Sequence, residues 1–169
     1  MIKANKVCCF TGHRPKGLPW TNKKTNEVCE NFKKLLKNTI EKLIMCGYSH
    51  FISGMAQGID MICAEIVLIL KQKYSHIILE CAIPCIDQST KWSIPQKNRY
   101  VCILNEADII HNVSLEKYSK NCMNDRNLYM VNKADLVIAV WNGKPSGTLN
   151  TIKMAKSVKK DLIIFKYLI

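Results

Sequence analysis

Ile52-Ser53-Gly54-Met55-Ala56-Gln57-Gly58-Ile59-Asp60 is the stretch whose reading decides the fold. A short apolar segment, Ser49 to Ile52, precedes it, and an amphipathic run from Ile59 to Leu70 follows. Strand, small-residue turn and helix in direct succession form the unit from which parallel α/β sheets are built. Gly54 and Gly58 tolerate backbone angles closed to other residues and let a ligand approach the main chain. The N–H groups at the start of the following helix favour an anion, phosphate above all. The stretch therefore reads as the main phosphate-binding turn of a nucleotide-type site, with Ser53, Gly54, Met55, Ala56, Gly58 and Asp60 against the ligand.

Toward the N-terminus, Val7 to Phe10 is apolar and β-compatible, a buried first strand. Thr11-Gly12-His13-Arg14-Pro15 follows at once. Gly12 allows a sharp turn, while Thr11, His13 and Arg14 supply a hydroxyl, an imidazole and a guanidinium suited to gripping a phosphate by two hydrogen bonds. Lys16 to Asn26 reads as a loop over the ligand, in which Trp20 either stacks on a base or pins the loop to the core.

Toward the C-terminus the pattern keeps alternating. Thr25 to Cys46 repeats apolar residues at helical spacing, with Gly47 as its C-cap. Ile77 to Ile83 reads as a strand interrupted by Glu80, Pro95 to Glu106 as a helix, Ala107 to His111 as a strand and Ser114 to Lys133 as mostly helix. Ala134 to Trp141 is the next strand. Gly143 to Thr148 is a second Gly-rich turn, opening a helix to about Val158, and Leu162 to Phe165 closes the chain as a strand.

This alternation predicts a single Rossmann-like α/β domain over 1–169, a mostly parallel sheet with helices on both faces. Ligands of such sheets sit beyond the carboxyl ends of the strands, where strand order reverses. Thr11–Arg14, Ser53–Asp60 and Gly143–Thr148 all follow strands directly, so they converge on one edge and predict one site.

The chemistry of that site points to binding before reaction. Gly-x-Gly-x-x-Gly and Gly-x-x-x-x-Gly-Lys-Ser/Thr are both absent, against an ordinary dinucleotide fingerprint or a P-loop. Ser146, Gly147 and Thr148 offer hydroxyls and an amide to a phosphate, or a plain N-cap. Arg126 and Asn127 either reach the site or form surface pairs. Asp60 either balances the helix dipole or serves a ribose or a water. It is the weak catalytic candidate, with Glu80 and His13 the other acid–base groups placed on the edge. Asp135, at a strand start, calls for a structural hydrogen bond.

Composition narrows the class. Apolar residues make up 48% of the 169 and charged residues 22%, the proportions of an ordinary globular chain. No apolar run is long enough to span a membrane, and the N-terminus lacks a secretory pattern, so a cytoplasmic protein without membrane insertion is expected. The nine cysteines are odd in number and irregular in spacing. Cys8, Cys9, Cys46, Cys63, Cys81 and Cys102 fall in apolar patterns and read as reduced core residues, and no metal site is expected. The net charge of +12 attracts anionic ligands and leaves nucleic acid open as a partner, although the lysines are scattered over helix surfaces.

Thr11-Gly12-His13-Arg14-Pro15 with Leu18-Pro19-Trp20, Ser53 to Asp60, Trp92, Arg99-Tyr100, Asp125-Arg126-Asn127 and Gly147-Thr148 resemble the YpsA-like family of the SLOG superfamily. The same superfamily holds the DNA-processing protein DprA and the LOG-type phosphoribohydrolases. The resemblance covers nearly the whole chain. It implies a Rossmann-like fold, a pocket for a nucleotide or an ADP-ribose/NAD-like ligand, and self-association into a homo-oligomer. LOG-type enzymes carry Pro-Gly-Gly-x-Gly-Thr-x-x-Glu; here the matching segment ends in Thr151, so the glutamate that assists N-glycosidic cleavage is missing. The expectation is a nucleotide-binding sensor or regulator, with DprA-like single-strand binding and a nucleotide hydrolase as alternatives.

Overall fold

A computed structural model describes residues 5–19 and 26–167; both readings of Trp20 fall outside them. Six strands alternate with five α-helices: β1 Lys6–Gly12, α1 Asn26–Met45, β2 Tyr48–Ser53, α2 Ile59–Lys71, β3 Ile78–Ile83, α3 Ile94–Glu106, β4 Ile109–Asn112, α4 Cys122–Lys133, β5 Leu136–Trp141, α5 Gly147–Ser157 and β6 Asp161–Lys166. The strands form one sheet in the order β4-β3-β2-β1-β5-β6, and every pairing is parallel. The Rossmann-like α/β architecture with helices on both faces is as the sequence predicts.

The central strands read as continuous apolar runs because both their faces are covered. Phe10, Phe51, Leu79 and Ile138 point to one face, where α1, α2 and α3 close the larger core through Leu36, Ile40, Ile62 and Tyr100. Cys9, Ile52, Ala82 and Val137 point to the other, under Met130 and Val131 of α4 and Ala155 of α5. Helix α2 is buried along most of its length, which makes it the element most tightly tied to the sheet. Gly47, at φ 89°, ends α1 in the left-handed region expected of a C-cap.

Three expectations need correction. The segment 114–121 is not helical, and α4 starts at Cys122. Backbone groups there turn to the loop after β3 instead: Ile86 N–H donates to the Glu116 carbonyl at 3.1 Å, and Tyr118 N–H donates to Asp87 Oδ1 at 2.7 Å. Cys46, in the turn after α1, and Cys102, on α3, are exposed. Glu80 is not at the strand-end edge. It lies mid-strand and fully buried, held by His50 Nε2 at 2.6 Å, Lys133 Nζ at 2.7 Å and the Tyr129 hydroxyl. His50 is thus the partner of a buried carboxylate. Asp135 has the structural bond expected of it, accepting from Val7 N–H at 2.9 Å. Among the described residues no helix is long and apolar enough to cross a membrane.

Candidate functional site

The sheet order reverses between β1 and β5, and the two strand ends are linked there: Asn142 N–H donates to His13 Nε2 at 3.3 Å. Burial holds the His13 imidazole below its ordinary pKa, consistent with a neutral ring that accepts at Nε2. On the other side of β1, the His13 carbonyl accepts from Ile59 N–H at 3.3 Å. This close approach requires two glycines. A Cβ on Gly12 would collide with Ile59, and one on Gly58, which sits at φ +94°, would collide with the His13 carbonyl.

The Ser53–Asp60 turn therefore works differently from its sequence reading. Three of its amides are engaged within the fold. Met55 N–H donates to Ser53 Oγ at 3.2 Å, Ala56 N–H to Asp60 Oδ2 at 3.3 Å, and Ile59 N–H to His13. Ser53 Oγ itself donates to the Asp60 carbonyl at 2.8 Å. The Met55 side chain, at φ 57°, is fully buried in the core. Ser53, Met55 and Gly58 thus shape the turn and do not face the cleft. Gly54 belongs with them: its carbonyl accepts from Arg126 Nη1 and from Gln88 Nε2, the latter at 3.2 Å, and a Cβ there would overlap the guanidinium.

Arg126 comes from α4, inserted beneath the turn and only 5% exposed. Its Nε donates to Asn127 Oδ1 at 2.8 Å, and Nη1 lies 3.8 Å from Asp60 Oδ2. Burial lowers the pKa of this guanidinium, with the Asp60 charge opposing the shift. Asp60, 5% exposed, is raised to about 6 by burial, against the pull of Arg126, the Ala56 amide and Arg14.

The third turn supplies an open helix end. Ser146 caps α5, its Oγ accepting from Leu149 N–H at 3.3 Å. Nothing lies within 4 Å of where a Gly147 Cβ would be. Thr151, in place of a glutamate, is fully buried and donates to the Gly147 carbonyl at 3.1 Å, so α5 presents no carboxylate here. Gly143, at φ +86°, abuts Lys166 and is not among the residues lining this cleft.

Together these elements enclose a first lobe of about 350 Å³. Thr11, Gly12, His13 and Arg14 line one wall, Ala56, Asp60 and Arg126 the floor, and Ser146, Gly147 and Thr148 the far wall. A helix N-terminus with an open first turn, facing an arginine, is chemistry that holds an oxyanion. A second lobe of about 470 Å³ adjoins it, sharing Arg14, Ala56 and Met123. Its walls come from the loops after β3 and β4, with Cys85, Asp87, Gln88, Trp92 and Tyr118. Trp92 packs edge-on against Tyr100 at 5.3 Å, and Tyr118 is largely exposed.

Sequence reasoning missed most of the second lobe. Trp92 was legible only as a motif residue, and Asp87 and Tyr118 carry no motif. The one available signal is positional: both segments follow strands on the same edge. Met123, at the start of α4, lines both lobes. Among the described residues no group of three or more His, Cys, Asp or Glu is placed to hold a metal.

Similarity to known proteins agrees with this fold. The chain is 37% identical over 143 residues to the uncharacterized SPbeta prophage-derived protein YoqJ of Bacillus subtilis, covering 78% of this chain and 84% of that one. It is 28% identical to the UPF0398 protein BH1768 of Halalkalibacterium halodurans, covering 73% and 67%. In structure it is similar to DNA processing protein A of Helicobacter pylori, described for its single-stranded DNA binding mode, with a TM-score of 0.62, 18% identity, and coverage of 96% of this chain and 66% of that one. The same protein of Streptococcus pneumoniae gives a TM-score of 0.58 at 19% identity, and this chain spans only 50% of its length. At these identities the likeness is one of fold. The sequence profile of YpsA, described as the YspA SLOG family, matches residues 8–166. The chain belongs to that SLOG family.

Proposed function

We propose that this protein binds a nucleotide or nucleotide-derived ligand in the two-lobed cleft and acts as a sensor or regulatory module. The observation that carries this reading is that the two lobes adjoin, with Arg14, Ala56 and Met123 in both linings. An oxyanion-suited pocket at the α5 N-terminus lies beside one with aromatic walls, across Arg14, Ala56 and Met123. Phosphate belongs in the first and base in the second, with Arg14 between them. Binding is favoured over hydrolysis because Asp60 is the only carboxylate lining the first lobe among the described residues, and it is already engaged by the Ala56 amide.

Mass spectrometry of small molecules released from the purified protein, followed by calorimetric titration of a nucleotide panel, tests the reading. Arg14→Ala should weaken binding by ~10-fold or more. Equal affinity in the variant and the wild type would remove Arg14 from the site. Release of base or phosphate, abolished in Asp60→Asn, would replace the sensor with a hydrolase.

A second reading, single-stranded nucleic-acid binding, draws on the net charge of +12 and on the fold shared with DNA processing protein A. It requires binding of an oligonucleotide that weakens steeply with salt. A flat salt series would count against it.

A further inference from the structure

We propose that Asp87 makes the second lobe selective for guanine; this rests on the nucleotide reading above. Asp87 is the only carboxylate among the described residues lining that lobe, in a chain of net charge +12. Its Oδ1 accepts from Tyr118 N–H at 2.7 Å, which fixes the carboxylate in the wall, and the Cys85 thiol is a second partner. A carboxylate offers about four lone-pair positions, so about two remain for a ligand.

Gln88, next to Asp87 in the chain, is already engaged at both ends of its amide, while Gln57, Thr90 and Lys91 complete the polar lining. Gln88 uses its Nε2 on the Gly54 carbonyl at 3.2 Å and its Oε1 on the Tyr100 hydroxyl at 3.3 Å. Trp92 and Tyr118 supply ring surface for a stacked base. An ionised carboxylate only accepts, so the atoms of a base that meet Asp87 are donors. Guanine alone among the common bases has two adjacent donors on its Watson–Crick edge, N1–H and the N2 amine. Adenine and cytosine set a lone pair beside their amine, and uracil flanks its single N–H with carbonyls. Each of those edges would turn an acceptor toward the carboxylate, leaving it unpaired in the cavity wall.

Calorimetric titration of the full chain with GMP, AMP, CMP, UMP and ribose 5-phosphate tests this, with XMP added for Asp87→Asn. GMP should bind at least ~10-fold tighter than AMP. Asparagine presents one donor and one acceptor, which matches the N1–H and C2 carbonyl of xanthine, so Asp87→Asn should prefer XMP over GMP by ~10-fold. Equal affinity for all the monophosphates and for ribose 5-phosphate would overturn the guanine assignment while leaving the phosphate lobe standing. Binding of none of them would overturn the nucleotide reading and this assignment together. The GMP to AMP ratio in the wild type decides the matter even where the variant does not fold.

Discussion

Asp60 Oδ2 and Arg126 Nη1 face each other across 3.8 Å at the floor of the first lobe, and neither side chain is more than 6% exposed. The residues are 66 positions apart on α2 and α4, on opposite faces of the sheet, and meet only past its carboxyl edge. The pair leaves the floor of an anion pocket close to neutral, with its balance set by the protonation of Asp60.

That balance makes anion binding pH-dependent. Burial holds Asp60 at about 6, above its ordinary 3.8. Its contribution to folding stability is therefore full below 3.8 and is lost as pH rises through about 6. An anion in the lobe favours the neutral carboxyl, so affinity should increase as pH falls through the same window. Sulfate, whose charge is constant there, should bind on the order of 10-fold tighter at pH 5 than at pH 7.5. Asp60→Asn should flatten the profile at the tighter level. A flat profile in the wild type would show that Asp60 does not face the bound anion.

Arg126 joins α4 to the Ser53–Asp60 turn through the Gly54 carbonyl and Asp60. Arg126→Ala leaves a buried carboxylate without its cation and should cost about 3–5 kcal/mol of stability in urea unfolding. Arg126→Lys cannot reproduce the planar fork and should recover only part of that loss. A midpoint unchanged in both variants would contradict the burial of this side chain.

Two glycines separate fold from binding. Gly58→Ala forces a side chain onto the His13 carbonyl at a positive φ and should destabilise by about 2 kcal/mol or more. Gly147→Ala meets open space in the first turn of α5, so its stability should stay within about 1 kcal/mol of wild type. Gly147 lines the first lobe, so phosphate affinity should fall while the melting temperature holds. Comparing thermal melts with titrations distinguishes the two effects.

Glu80 predicts an acid transition of the opposite sign. Burial alone would raise its pKa, but hydrogen bonds from His50, Lys133 and Tyr129 outweigh it and hold the carboxyl at about 2. The stability it contributes is present above its ordinary 4.5 and is lost as pH falls through about 2. Glu80→Gln should cost about 3 kcal/mol near neutral pH and remove part of the acid-induced fall in melting temperature. Superimposable melting curves against pH would place the acid sensitivity elsewhere.

The amino-acid sequence alone determined the strand–helix alternation, the parallel sheet and the edge on which Thr11–Arg14, Asp60 and Ser146–Thr148 meet. Those features follow from local periodicity and from glycine turns placed directly after apolar strands, which neighbouring residues encode. Only the tertiary structure decided which groups on that edge face outward. The amides of Met55, Ala56 and Ile59 are satisfied by Ser53, Asp60 and His13, so these groups of the turn are used within the fold, while the first turn of α5 has open space beside it. The second lobe escaped the sequence for the same reason. Asp87 and Tyr118 are brought together by a hydrogen bond spanning 31 residues, and pairings of that range depend on how the sheet places its loops.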